Sequence, residues 1–303
     1  VLAACGGDDN DSDNSNNSND TGDSSNEVNL ISIGDISSDP IETIQEAQPF
    51  ADLMAASLVD QGITGGEVRV AADIDEMIAM IADGEVDVYF DSPYPATVIS
   101  QASGGEMVLR RWRNGYAEYF SMIIVLKDSG ISSIEDLNGR VIAFEEPFST
   151  SSFVLPVASL IEDGQSVTEL DSIDATVPED AIGYVFSGDV ENSVLWVQEG
   201  RVDAGAVDNI TYESFDAEVL DQFDVIAQTE AMPRHIAIIG PNVDEDLKAA
   251  IIEFLIHAHE TDEGVEILAG FGDTNRFDEF PNGTDATIAR VLEIAGIIEQ
   301  LGE

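Results

Sequence analysis

Apolar runs of strand length alternate with amphipathic stretches from residue 28 onward. Val28–Ile33 reads as a buried strand closed by Gly34 and Asp35. Pro49–Asp60 places Phe50, Leu53, Met54 and Leu58 at helical spacing, and Val68–Ala71 is a second short strand. Asp75–Ala82 is a helix whose acidic first turn suits the helix dipole. Val86–Phe90 is a third strand, followed by the loop Asp91-Ser92-Pro93-Tyr94. This β-α-β-α-β alternation predicts a mostly parallel, doubly wound sheet with ligands at the carboxyl ends of its strands.

A second alternating block follows. Ser121–Leu126 is a continuous apolar strand, and Ser133–Asp136 is a short helix. Asn138-Gly139 turns the chain into strand Arg140–Phe144. An apolar helix is expected from about Phe153 to Ile161, another over Val190–Gln198, and a strand over Val202–Val207. The tail is helical over Leu247–His257 and Ala286–Leu301, with Asp285 placed to cap the last helix.

Charge changes this picture more than bulk composition does. Sixty-one acidic residues face eleven basic ones, a formal net charge of −50 over 303 residues. A surface this acidic excludes nucleic acid and anionic membrane as broad electrostatic partners. Nine of the basic residues are Arg, and the only lysines are Lys127 and Lys248. That balance suits a protein working in concentrated salt, where the Debye length is roughly 3 Å at 1 M and self-repulsion is screened. A single cysteine excludes a disulfide framework and a Cys-based zinc site. His257 and His259 diverge on a helix, so no metal centre and no cofactor is expected.

The first 27 residues carry a separate signal. Leu2-Ala3-Ala4-Cys5 resembles a lipoprotein processing box, in which Cys5 would become the lipid-bearing N-terminus. Residues 8–26 are polar and of low complexity, as expected of a flexible stalk. The expectation is a globular body on the outer side of the cell membrane, tethered by a lipid on Cys5.

The strongest local chemistry is Phe144-Glu145-Glu146-Pro147-Phe148-Ser149-Thr150-Ser151-Ser152. A strand ends, the chain turns, and hydroxyl residues open an apolar helix. Unpaired N–H groups, the dipole and added hydroxyls form an anion cradle that needs no Lys or Arg. A simple N-cap explains only one of these residues.

The stretch from Ser129-Gly130-Ile131 through Asp136-Leu137-Asn138-Gly139-Arg140 to Pro147-Phe148-Ser149-Thr150-Ser151 and Pro156 resembles the solute-binding proteins of phosphonate, phosphite and phosphate ABC transporters. Tyr119-Phe120-Ser121 resembles their hinge, and Val202-Asp203-Ala204-Gly205-Ala206 a further strand motif. The resemblance implies an α/β, two-lobe type II periplasmic-binding-protein fold, with mixed sheets flanked by helices and two crossover strands at a hinge. It implies lobe 1 over 28–116 plus 233–303 and lobe 2 over 117–232, with residues 1–27 outside both. The crossings fall near Gly115–Tyr119 and Met232–His235.

The implied ligand is a small phosphorus oxyanion held by Ser149, Thr150, Ser151 and Tyr119, with Ser92 and Tyr94 contributed by lobe 1. The partner is an ABC permease, and the protein is a monomer. A histidine common in the family corresponds to Val190, leaving Glu191 beside it as a candidate contact. His235 stands where aminoethylphosphonate binders place an acid. Asp208 follows the Val202–Val207 strand and is suited to accept a P–OH hydrogen bond, which sulfate lacks. Arg234 and His235 place basic groups near the cleft mouth, where they could meet a second negative charge. For Arg234 a pair with a neighbouring surface acid is the favoured alternative, and the Arg110-Arg111-Trp112-Arg113 run is expected to pair with local acids before the hinge. A sulfonate or a thiamine-precursor-like heterocycle is the alternative ligand on the same fold. An enzyme using Ser149 or Ser151 as nucleophile lacks a Gly-x-Ser-x-Gly elbow and a partnering histidine motif.

Overall fold

Each apolar run that reads as a strand becomes one, and the sheets are completed by strands with weaker signals. The computed structural model describes residues 29–301. In chain order the first strands are β1 (Leu30–Ile36), β2 (Gly65–Ala71), β3 (Val88–Asp91) and β4 (Glu106–Arg113). There follow β5 (Glu118–Tyr119), β6 (Ser121–Leu126), β7 (Val141–Phe144), β8 (Val167–Glu169), β9 (Ile182–Phe186) and β10 (Ala204–Asp208). The last are β11 (Phe223–Gln228), β12 (Met232–Pro233), β13 (His235–Ile239) and β14 (Thr274–Asp278).

They form two six-stranded sheets, ordered β14-β4-β13-β3-β1-β2 and β11-β6-β10-β7-β9-β8. In the first, β1 pairs parallel with β2 and β3, and the β13 and β4 pairings are antiparallel. In the second, β6 is antiparallel to β10 and β11, and the remaining pairs are parallel. Both sheets are therefore mixed, and the mostly parallel expectation holds only for the part of each sheet built by local β-α-β units. The long-range strands enter from the far side of the chain and lie antiparallel.

The chain leaves the first sheet through β5 and returns through β12, and the two pair antiparallel as a ribbon with Tyr119 opposite Met232. Two sheets joined by two adjacent extended segments make a two-lobe architecture that can close like a jaw.

Each sheet is buried on both faces. Helix Pro40–Ser57 packs Phe50 and Met54, and helix Glu245–His257 packs Ile251 and Leu255, against one face of the first sheet. Met77, Ile81, Ile99 and Ile236 form the core on its other face. Helix Pro40–Ser57 begins before the expected Pro49, because the Asp39 carboxylate accepts the Glu42 N–H at 3.2 Å and caps it.

The C-terminal helix Thr284–Glu299, expected from sequence in lobe 1, packs against both lobes, with Ile288 against a core of the first sheet. Its Val291, Ile294 and Ile298 are buried in a core of the second sheet. Arg290 on it bonds Glu162 and Glu230. Gly283, not Asp285, occupies its cap position, and Asp285 lies in the first turn.

Candidate functional site

The hydroxyl turn forms where β7 ends. Val141–Phe144 is fully buried, and the chain must then escape the sheet through Glu145–Phe148. Ser149 stops that excursion, its Oγ accepting the Ser152 N–H at 3.0 Å. The turn Thr150–Val154 is wound as a π-helix and leads into the α-helix Leu155–Glu162. The helical region thus starts earlier than the expected Phe153. Such wide turns are rare and concentrate at functional sites. Thr150 and Ser151 are buried, at 3% and 8% exposure.

This turn faces a cavity of about 450 Å³ between the two sheets. Ser149, Thr150, Ser151, Tyr119, Ser92, Asp208 and His235 all line it. The Thr150 hydroxyl donates to Ser92 Oγ at 3.0 Å and accepts the Tyr94 N–H at 2.9 Å. Asp208 ends β10 and caps the helix Asn209–Ser214, one carboxylate oxygen accepting from Ile210 and Thr211 at 2.9 and 3.0 Å.

Two expected contacts are not brought in. The Tyr94 ring packs 6.2 Å from the Phe148 ring and joins the hydrophobic core of the second sheet, so only its backbone serves the turn. Glu191 is exposed in the first turn of helix Val190–Gln198, where its N–H bonds Asp189. Asp189 also pushes the Glu191 carboxyl above the usual range. Val190 lines the cavity instead, as does Ile74.

By sequence the cradle is built without cations, but the cavity is also lined by Arg113 and Arg234. Of the nine arginines, Arg69, Arg110, Arg140, Arg201, Arg276 and Arg290 each form an ion pair with a carboxylate. Arg111, Arg113 and Arg234 form none among the described residues, and all three lie at or beside the cleft. Arg234 does not reach the surface acids expected for it. Its guanidinium lies 4.7 Å from the Tyr119 ring centroid, and its buried Nε has no partner among the described residues.

Arg113 gives Nε to the Gly272 carbonyl at 2.9 Å. Strand periodicity explains why the run Arg110–Arg113 divides. Alternate side chains point to opposite faces. Arg110 pairs with Asp278 and Glu118 on one side, as expected, and Arg111 and Arg113 take the other. That alternation was the available signal, and only treating the run as one cluster hid it.

His235 is buried among these arginines, and burial first, then their charge, holds its pKa well below 6.5. Arg113 Nη1 lies 3.4 Å from His235 Nε2. A guanidinium only donates, so Nε2 accepts and the ring proton sits on Nδ1. That Nδ1 is buried and without a partner among the described residues. The cleft therefore offers hydroxyls, two guanidiniums and one neutral imidazole N–H.

Acids complete it. Burial raises the carboxyls of Glu145 and Asp91, both at the cleft, and pushes the Tyr119 hydroxyl up to about 12. Tyr119 is thus a neutral donor at any ordinary pH.

A ring of donors facing a few carboxylates has the chemistry to hold a partly protonated anion. It has no nucleophile–base pair, since Ser149 serves as a cap and His235 makes no hydrogen bond to a hydroxyl of the turn.

The profile of ABC transporter phosphonate periplasmic substrate-binding proteins matches residues 36–285. A phosphate-import protein, PhnD, of Mycolicibacterium smegmatis is 28% identical over 179 residues, 56% of this chain and 53% of that one. The chain thus aligns with about half the length of this curated relative. XAC2383 from Xanthomonas citri, solved bound to ATP, superposes with a TM-score of 0.82 at 22% identity, covering 90% of this chain and 99% of that one. PhnD1 from Prochlorococcus marinus, solved with methylphosphonate, gives 0.60 at 14% identity over 89% and 98% of the two chains. The two structures agree with this chain in fold. Fold, cleft and profile lead to one conclusion: the chain belongs to the extracytoplasmic, non-catalytic phosphonate-binding family of ABC transporter substrate-binding proteins.

Proposed function

We propose that the protein captures a small phosphorus oxyanion between its two lobes and delivers it to an ABC permease. The observation that carries this reading is the meeting of Ser149, Thr150 and Ser151 with Arg113 and Arg234 in one cavity. Hydroxyls and N–H groups orient a tetrahedral ion, and the guanidiniums neutralise it. Asp208 and Glu145 accept from the P–OH of a monoanion. Sulfate offers them no proton, so it meets two carboxylates unpaired, and a sulfonate meets the same obstacle. The cleft's charged lining disfavours an uncharged heterocycle. Profile membership supports the permease as recipient.

The lipid anchor belongs to the same proposal, and Cys5 lies outside the described residues. Calorimetric and thermal-shift screening against phosphate, phosphite and methylphosphonate, with sulfate and taurine as controls, tests the reading. Binding of at least one phosphorus oxyanion, with both controls silent, supports it. Silence from all three overturns it.

A further inference from the structure

A second cavity, of about 250 Å³, lies beside the cleft at the carboxyl ends of β1 and β3. It shares Ile36, Asp91, Arg113 and His235 with the cleft. The family resemblance assigns only His235 on it, the position where aminoethylphosphonate binders place an acid.

Its charges are arranged without collapsing into ion pairs. Arg111 and Arg113 line it together with Asp35, Asp91 and the exposed Glu46. Among the described residues neither arginine has a carboxylate within 4.0 Å, although each feels Asp35 and Asp91 through space. The guanidiniums are pinned from behind. Arg111 donates to Thr274 Oγ1 and to the Phe271 carbonyl, both at 2.8 Å, and lies 4.3 Å from the Phe271 ring centroid. Arg113 is held by Gly272. That carbonyl wall needs a left-handed turn, with φ of 55° at Gly272 and 51° at Asp273. A Cβ at Gly272 would meet Arg111 Nη2 at 3.0 Å, so the turn is shaped around the guanidinium. His235, on the shared wall, keeps a buried Nδ1 that has no partner among the described residues.

A cavity lined by cations and carboxylates that form no ion pairs with each other selects by chemistry. A lone carboxylate would meet Asp35, Asp91 and Glu46. A lone ammonium would meet two guanidiniums. An alkyl chain would strip water from all of them and replace none of their hydrogen bonds. A hydroxyl donates to a carboxylate and accepts from a guanidinium on one oxygen, and brings no charge to desolvate.

We infer that this cavity receives the substituent of the bound oxyanion, and that the preferred ligand carries a short polyhydroxylated chain on its phosphorus group. The inference rests on the proposed oxyanion site and names the ligand class for it.

The test is calorimetry with methylphosphonate, propylphosphonate, 2,3-dihydroxypropylphosphonate, phosphonoacetate and 2-amino-3-phosphonopropionate. The dihydroxypropyl compound is expected to bind at least about tenfold tighter than the propyl one, as hydrogen bonds to charged groups allow. Glu46→Ala, at an exposed helical position, and Asp35→Ala are each expected to shrink that ratio while leaving methylphosphonate affinity unchanged. Equal affinity of the two propyl compounds, or tighter binding of the carboxylate or the zwitterion, overturns the inference and leaves the oxyanion site standing. Failure of every phosphonate, methylphosphonate included, removes the oxyanion site itself and the inference with it.

Discussion

The Thr150 hydroxyl, on the turn after β7, donates to Ser92 Oγ at 3.0 Å, on the turn after β3. One side chain of the second lobe thus touches the first lobe inside the cleft, and the Tyr94 N–H completes the contact. The oxyanion cradle and the lobe closure share an atom. Thr150→Val keeps the shape and deletes both bonds. Net hydrogen bonds are worth about 0.5–1.5 kcal/mol each, so affinity should fall by about 1–3 kcal/mol. Calorimetry checks this, and a thermal melt of the ligand-free variant measures the part of the loss that falls on stability.

Arg234 has no carboxylate partner among the described residues, in a chain with 61 acids. A cation left unpaired at a cleft costs stability in the free protein and repays it on binding. Arg234→Met is expected to weaken oxyanion binding by about 1.5–3 kcal/mol, tenfold or more, without lowering the melting temperature of the free protein. Unchanged affinity would show that the guanidinium faces no ligand.

His235 gives a pH dependence of defined sign. Its folded pKa lies well below 6.5, through burial and then through Arg111, Arg234 and Arg113. Between those two values the unfolded chain binds a proton that the folded chain refuses. Its contribution to stability is therefore fully present above about pH 6.5 and is lost as pH falls below it. His235→Gln cannot titrate, so its melting temperature should fall less than that of the natural protein between about pH 7 and pH 5. The raised carboxyls of Asp35, Asp91 and Glu145 have the opposite sign and are common to both proteins. Parallel curves would contradict the buried, neutral assignment.

What the sequence made legible follows from how local the cause is. Ser121–Leu126 and Val190–Gln198 form over the expected residues because runs of apolar residues and helical spacing decide them locally. The Ser149 turn is likewise a local signal, a strand end followed by hydroxyls. Strands β4 and β14 are charged and irregular in pattern, and only long-range pairing makes them strands, β4 between β13 and β14, and β14 at the edge against β4. The cations of the cleft depend on that pairing, since β4 orients Arg113, and the Gly272 carbonyl beside β14 fixes it. Tyr94 looked like a cleft residue by position, but an apolar ring finds more surface against Phe148 than toward a polar cleft. For Arg234, placed near the cleft mouth by sequence, charge statistics favour a surface ion pair, and the crossover strand sets its guanidinium over Tyr119 instead.

The net charge of −50 makes a prediction about the medium. Repulsion among surface carboxylates destabilises the compact state until salt screens it, and the Debye length falls from about 10 Å at 0.1 M to about 3 Å at 1 M. The melting temperature should rise with sodium chloride over that range. Pairs such as Arg290 with Glu162 and Glu230 weaken under the same screening, but exposed pairs are worth only about 0–1 kcal/mol each. A melting temperature that is flat or falls with salt would mean that such pairs, and not repulsion, dominate.

The most direct measurement is calorimetric titration of phosphate and methylphosphonate into the natural protein and into the Ser149→Ala, Thr150→Ala double variant. The account predicts saturable one-to-one binding of at least one of these ions by the natural protein and at least tenfold weaker binding by the variant, as lost bonds to a charged group of about 1.5–3 kcal/mol each require. Undiminished affinity in a folded double variant would contradict it.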